Sequence, residues 1–504
     1  MLSTRRIRLR YTGFVAFASS LISIIAGTLF SLLVTRKLMP QDLGLWQYIG
    51  VTLAYFSIPI APVGFWVTRL IARGEKLYKT TLYIAAVMAV TATVVYILLS
   101  GYMALASESA QFYFLLASFQ LPALFILGAL EAIAAGSRPY IIHYGYIVHE
   151  VVKLPLALFL VVSLGFGLRG AIMTVILAFY IRSVFLGWML HDLFKDSFSR
   201  RHISMMFKHY WLPAYSMLAS KAFSLDVVIV AALLSTTTPI GYVAAAGLIG
   251  NIVGFTSSLA AGLYPRLLHG GSSDDVSTSI KMVLMFAVPI LIGSVILAEP
   301  LLNVLRPEYA GASLTLIIIA VSSFFGCFTS ISDAVISGTE KIDNAVGASF
   351  KDYVKSKLFL LPTLTCANVA LYFSSIYVVL NIIRPAEAID VSLAWVSVGF
   401  LSGLPFAVYK WILARRILSF KIPFKRSLLK YLIASIPMAV IAYVLKPVVL
   451  KRELGSALMD ISSPILLGAS AFFITLYFID PEFRLITRLI IAEIRRMFSR
   501  SRLE

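Results

Sequence analysis

Two short segments carry the same chemistry 202 residues apart: His149-Glu150-Val151-Val152-Lys153 and Lys351-Asp352-Tyr353-Val354-Lys355. Each holds two bases four residues apart, with an acid beside the first. Positions i and i+4 share a helix face, so His149 and Lys153 make one basic face and Lys351 and Lys355 another. Lysine binds phosphate as a point charge, and two such faces suit a phosphate or pyrophosphate group. The competing reading is local. Glu150 and Asp352 neutralise their neighbours, and the lysine stems carry their charge to the membrane surface. Lys221 and Asp226, five residues apart, would lie about 140° apart on a continuous helix and would not pair directly. Lys221 is then either a second phosphate contact or a structural partner of another helix. Asp226 either holds a neighbouring helix or binds a coupling Na⁺ or H⁺. Arg182 is open between substrate contact and structural pairing. Arg69 and Arg266 end equivalent apolar stretches, as membrane-surface anchors or as substrate contacts.

The surroundings make these charges costly. Sixty per cent of the 504 residues are hydrophobic and only 13% are charged, about half the charged share of a soluble domain. Such a chain is solvated by lipid. A bilayer-spanning helix needs about 20 mostly apolar residues, and fourteen stretches qualify: 13–35, 44–68, 80–104, 112–135, 141–166, 170–191, 211–235, 240–264, 280–303, 312–337, 356–383, 391–413, 428–447 and 462–480. With the N-terminus in the cytoplasm, and the outermost three residues of each stretch counted with the loop they border, 31 of the 43 Lys and Arg residues fall in inner segments and 8 in outer ones. Positive charge collects inside, so both termini are expected in the cytoplasm. That bias accounts for most of the net charge of +19 without nucleic acid. Cys327 and Cys366 sit in apolar runs and define no disulfide framework. The six histidines show no metal-ligand spacing, there is no phosphate-binding Gly-x-x-x-x-Gly-Lys-Ser/Thr loop, and no cofactor is expected.

The first twelve stretches read as a duplication. Gly44 and Gly241 are 197 apart, as are Arg69 and Arg266; Glu131 and Asp333 are 202 apart, as are Gly136 and Gly338. Six spans per repeat is an even number, so the halves run the same way through the bilayer, related by an axis along its normal. The fold class is therefore an all-α polytopic membrane protein of about fourteen helices, with two parallel six-helix repeats and two C-terminal helices. The expected divisions are a lobe at 1–191, a cytoplasmic linker at 192–210, a second lobe at 211–413, helices 13 and 14 within 414–480, and an amphipathic cytoplasmic tail at 481–504.

Pro40-x-x-x-Gly44-Leu45 after the first stretch, Ile240-Gly241-Tyr242 after the seventh and the Asp226-Val-Val-Ile-Val run before it resemble the MOP (multidrug/oligosaccharidyl-lipid/polysaccharide) exporter superfamily. The Asp226 run is similar to its polysaccharide-flippase branch, including Wzx-type proteins, and the two extra helices resemble that branch and the lipid II flippases. The resemblance implies a flippase that carries a polyisoprenyl-phosphate-linked oligosaccharide to the outer leaflet of a prokaryotic plasma membrane by alternating access. It also implies a groove for the lipid tail beside helices 13 and 14. Expected partners are that substrate, membrane lipids and glycan-biosynthesis enzymes, with no nucleic acid and a monomeric chain. The alternatives are a MOP-type cation-coupled exporter of small organic molecules, which wants unpaired acids in its cavity, and a membrane glycan polymerase or ligase, which wants a catalytic outer loop.

Overall fold

The computed structural model describes residues 23, 26–207, 210–268, 270–340, 356–383, 385–420, 427–447, 454–481, 483 and 484. Among them there is no β-strand, and every one of the fourteen apolar stretches holds helix. The first is described mainly as the helix 26–37. Nine described helices are long and apolar enough to cross a bilayer: Tyr78–Ala106, Gln111–Ser137, Tyr140–Ser163, Gly167–Met189, Ser273–Ile296, Pro307–Gly338, Phe359–Ile383, Ala388–Ile417 and Gly455–Ile479. The chain is a multi-pass membrane protein.

Two more stretches are bent pairs, and they occupy equivalent places. Pro40–Phe56 meets Ile60–Ala72 at 52°, and Thr238–Gly250 meets Ile252–Ala260 at 41°. The fifth and eleventh stretches also match. Tyr140–Ala157 holds Pro155 and passes into a π-helical turn at Leu158–Ser163. Lys357–Val378 holds Pro362 and passes into one at Val379–Ile383. A proline inside a helix removes one hydrogen bond and crowds the preceding turn, and in a membrane such a break survives only where neighbouring protein covers it.

Packing repeats as well. A Cβ on Gly136 would strike Ile71 and the Thr68 carbonyl, and one on Gly338 would strike Leu267 and come within 3.3 Å of the Tyr264 carbonyl. In each half, the glycine ending the fourth span lets that helix close onto the end of the second. Membrane helices gain nothing from hiding apolar surface from lipid, so close backbone approach through small residues holds them together. The large apolar side chains Leu98, Tyr102, Val184, Trp188, Tyr443 and Phe478 are exposed instead, as lipid-facing positions require.

Contacts divide the chain into two units. One is Met1–Ala244 with Leu380–Arg384; the other is Ala245–Val379 with Pro385–Glu504. Within the first, Gly44 and Gly241 allow a close crossing. A Cβ on Gly44 would run into the Thr237 carbonyl, and one on Gly241 into the Pro40 carbonyl. The Thr237 hydroxyl donates to the Gln41 carbonyl across this crossing at 2.9 Å. Within the second, Leu429–Val444 and Leu454–Ile479 pack on each other and on Ser273–Ile296. Buried Tyr431, Ala434, Met438, Phe472 and Leu476 share a core there with Val283, Leu284 and Val288.

Candidate functional site

The basic motif of the first half lies inside the protein. His149 and Glu150 are each 8% exposed and Lys153 is 9% exposed, all on Tyr140–Ala157. The Lys153 ammonium sits 2.9 Å from Glu150 Oε1 and 2.7 Å from Oε2, one helical turn back. It also lies 4.8 Å from the centre of the Phe30 ring, whose negative face attracts a cation. His149 shares the buried face with Lys153, as its spacing dictates, and lies 4.9 Å from the Phe179 ring. A buried lone charge costs several kcal/mol in a membrane; here acid and base are buried together, and the motif carries its own counter-charge. Lys351, Asp352 and Lys355, the second copy, lie outside the described residues.

Arg182 stands beside this motif, on Gly167–Met189. Its guanidinium is ion-paired with Glu131 of Gln120–Ser137. It lies 3.9 Å over the ring of Tyr146, on the same helix as His149. Gly145 makes room: a Cβ there would strike Leu186 and come within 3.4 Å of Arg182 Nε. Three helices thus meet at Glu131, Tyr146, His149, Lys153, Phe179 and Arg182. With Glu150 included, two bases face two acids, and the patch is neutral when His149 is.

Lys221 and Asp226 stand across a break that the sequence reading did not include. Trp211–Lys221 ends at Lys221, a 3₁₀ turn spans Ala222–Ser224, and Leu225–Leu234 begins a new helix. The 140° separation assumed one continuous helix, so that angle is corrected. Lys221 is exposed, and its carbonyl accepts a hydrogen bond from the Tyr55 hydroxyl. Asp226 Oδ1 accepts from the Val227 amide at 2.7 Å in the first turn of its helix, where the helix dipole favours an acid.

Arg69 and Arg266 are both exposed. Arg69 lies 4.4 Å over the Phe65 ring. Arg266 pairs with Asp275 at 2.6 Å, and Asp275 also closes the capping box of Ser273–Ile296 by accepting from the Ser272 amide at 2.8 Å.

The second unit holds an ion pair of the same design. Lys410 of Ala388–Ile417 lies 3.0 Å from Asp333 Oδ1 and 3.2 Å from Oδ2, with Asp333 on Ser313–Gly338. Asp333 is the repeat partner of Glu131, and Lys410 sits on the twelfth span as Arg182 sits on the sixth. In each half an acid on the fourth span is tied to a base on the sixth. The pair opens onto a cavity of about 410 Å³, lined also by Thr329, Asn368, Phe325 and Phe400. Sequence reasoning assigned no role to Glu131, Asp333 or Lys410. Glu131 and Asp333 were in view as repeat-equivalent acids, and that equivalence was the available signal.

Among the described residues no group of three or more His, Cys, Asp or Glu side chains is placed to hold a metal. No protein-family model and no curated protein matches the sequence. Solved structures do match. An inward-facing multidrug resistance MATE family transporter of the MOP superfamily aligns with 80% of this chain and 98% of its own, at 13% identity and a TM-score of 0.58. The lipid II flippase MurJ, in an inward closed conformation, aligns with 93% of this chain and 98% of its own, at 14% identity and a TM-score of 0.67. The bent spans, the paired π-helical turns and the two trailing helices thus belong to a chain with the fold of the MOP superfamily transporters.

Proposed function

We propose that the chain is a flippase that moves a polyisoprenyl-phosphate- or pyrophosphate-linked oligosaccharide from the inner to the outer leaflet of a prokaryotic plasma membrane. In this reading both termini lie in the cytoplasm, and movement follows alternating access. The observation that carries this reading is the extent of the likeness to the lipid II flippase. Residues 1–417 make up about 83% of the chain, so an alignment over 93% of it must include part of the two trailing helices. The multidrug transporter aligns over 80%. Two helices added beside the second unit's core provide surface for a long lipid tail, which a small-molecule exporter does not carry.

Charge supports the same class of substrate. Thirty-one of 43 basic residues lie in segments assigned to the cytoplasmic side, where a phosphorylated lipid headgroup would be collected. In this reading Lys153 is the buried base that meets the headgroup phosphate, with His149 beside it and Lys351 and Lys355 as their counterparts. Glu150 is the placeholder that keeps Lys153 compensated until substrate arrives. Lys221, exposed beside Tyr55, is a further contact. Arg182 is held by Glu131 and serves to shape the patch.

Ligand-induced stabilisation of the purified chain tests this reading. Anything that binds the folded state alone stabilises it, by about 2.7 kcal/mol at a hundredfold excess over Kd. Undecaprenyl pyrophosphate should raise the thermal unfolding midpoint and tetraphenylphosphonium should leave it unchanged. The reverse pattern would favour an exporter of organic cations. Lys153→Ala should weaken the undecaprenyl pyrophosphate response about tenfold in midpoint concentration, because a hydrogen bond to a charged group contributes about 1.5–3 kcal/mol.

A further inference from the structure

The cavity beside Asp333 and Lys410 is not used by the headgroup reading above, and its chemistry differs from that of the basic motif. Its about 410 Å³ lies within the roughly 300–1,000 Å³ of small-molecule sites. Three spans of the second unit build it: Ser313–Gly338, Lys357–Val378 and Ala388–Ile417. Its charge is balanced, because the Asp333 carboxylate lies 3.0 Å from the Lys410 ammonium. The carboxylate is the more exposed partner, 38% against 11% for Lys410, whereas Lys153 and Glu150 are buried alike, so here a phosphate meets the acid first. An organic cation meets an acid whose charge Lys410 already offsets. What remains is a neutral ligand rich in hydrogen-bonding groups.

The wall provides both donors and acceptors for one. Asp333 keeps 38% of its side chain exposed despite its partner, and so has lone pairs to offer. Asn368 Oδ1 is buried and has no hydrogen-bond partner among the described residues. An unpaired buried carbonyl costs about 1–3 kcal/mol, a deficit that a ligand hydroxyl would remove. Thr329 Oγ1 donates to the Phe325 carbonyl at 3.4 Å, a weak bond that leaves it free to accept. On the same wall the rings of Phe325 and Phe400 lie 5.6 Å apart at 48°. Aromatic faces are negative, and the weakly positive C–H face of a sugar ring packs well on them.

We propose that this cavity in the second unit binds a sugar ring of the transported glycan, with Asn368 and Asp333 accepting from its hydroxyls and Phe325 and Phe400 packing against its C–H face. The proposal rests on the flippase reading for its ligand, but places glycan recognition apart from phosphate recognition.

Two binding measurements on the full purified chain separate the two. One uses a panel of methyl glycosides of common hexoses and N-acetylhexosamines, followed by saturation-transfer NMR. The other uses sugar-free undecaprenyl pyrophosphate. At least one glycoside should bind wild type. Asn368→Ala and Phe400→Leu should each weaken it about fivefold, as loss of one neutral hydrogen bond or one aromatic contact implies. Undecaprenyl pyrophosphate binding should stay within twofold of wild type in both, which also shows that they are folded. Unchanged glycoside binding in both variants overturns the cavity assignment and leaves the flippase reading standing. So does a wild type that binds undecaprenyl pyrophosphate and no glycoside. A wild type that binds neither overturns both.

Discussion

At the scale of single residues, Glu131 with Arg182 and Asp333 with Lys410 are paired charges inside the spans, and pairs make sharp predictions. Removing one member of a buried ion pair leaves a lone charge and costs about 3–5 kcal/mol. Arg182→Met should therefore lower the thermal unfolding midpoint strongly. Adding Glu131→Gln to it should recover most of the loss, as should Asp333→Asn added to Lys410→Met in the second unit, where the loss itself is smaller because solvent screens the 38% exposed Asp333. Equal losses in single and double variants would show that these residues contribute through packing alone. A pair outside the spans gives a pH dependence. Arg138 holds the Asp192 carboxyl below its usual range, chiefly through a direct hydrogen bond, with Nη1 2.9 Å from Oδ1. A carboxyl depressed in the folded state stabilises the fold above its unfolded pKa of about 3.9, and that stabilisation fades as pH falls through the depressed value. The midpoint should thus fall below about pH 4 in wild type, and less steeply in Arg138→Ala. Identical acid profiles would remove the pair from the account.

The residue scale also shows where the sequence was legible. The spacing of His149 and Lys153 put both on one face, and both are buried there. What the spacing left open was which charge Lys153 answers, and the structure gives it Glu150, three residues back on the same helix. The Glu131–Arg182 and Asp333–Lys410 pairs were not legible. They join residues 51 and 77 positions apart, and no helical periodicity reports which side of one helix faces another.

At the scale of elements, the duplication was readable in the chain and has physical content. The repeat predicted matched helices, and the halves match in features no propensity would place: a bend in the second and eighth spans, and a π-helical turn closing the fifth and eleventh. The break at Ala222–Ser224 was missed, because an apolar run of spanning length gives the same periodicity with or without a 3₁₀ turn. Glycines set the crossings. Gly241→Ala would put a Cβ into the Pro40 carbonyl. Because backbone rather than a flexible side chain must move, it should cost about 1–3 kcal/mol or more. Gly187 has nothing within 4 Å of its added Cβ, so Gly187→Ala should be neutral or stabilise by up to about 1 kcal/mol through helix propensity. Thermal unfolding of the two variants checks this; similar midpoints would mean that the crossing tolerates spreading.

At the scale of the whole molecule, the proposed flippase carries an anionic lipid and is expected to do so without nucleotide hydrolysis. The sequence has no phosphate-binding loop of the Gly-x-x-x-x-Gly-Lys-Ser/Thr type. An inside-negative potential by itself favours outward movement of an anionic headgroup, by about 2.3 kcal/mol per charge per 100 mV for a charge that crosses the whole field. The most direct test is transbilayer movement in proteoliposomes that contain only this chain and lipid. The probe is a polyisoprenyl-pyrophosphate disaccharide, fluorescent on its sugar, with a membrane-impermeant quencher added outside. The account predicts that the chain makes the inner-leaflet probe accessible to quencher without ATP, faster under a potential negative in the compartment that the probe leaves. It also predicts that Lys153→Ala slows this while the protein remains folded. Movement that requires ATP, or a probe that stays protected although the chain is folded and oriented, would contradict it.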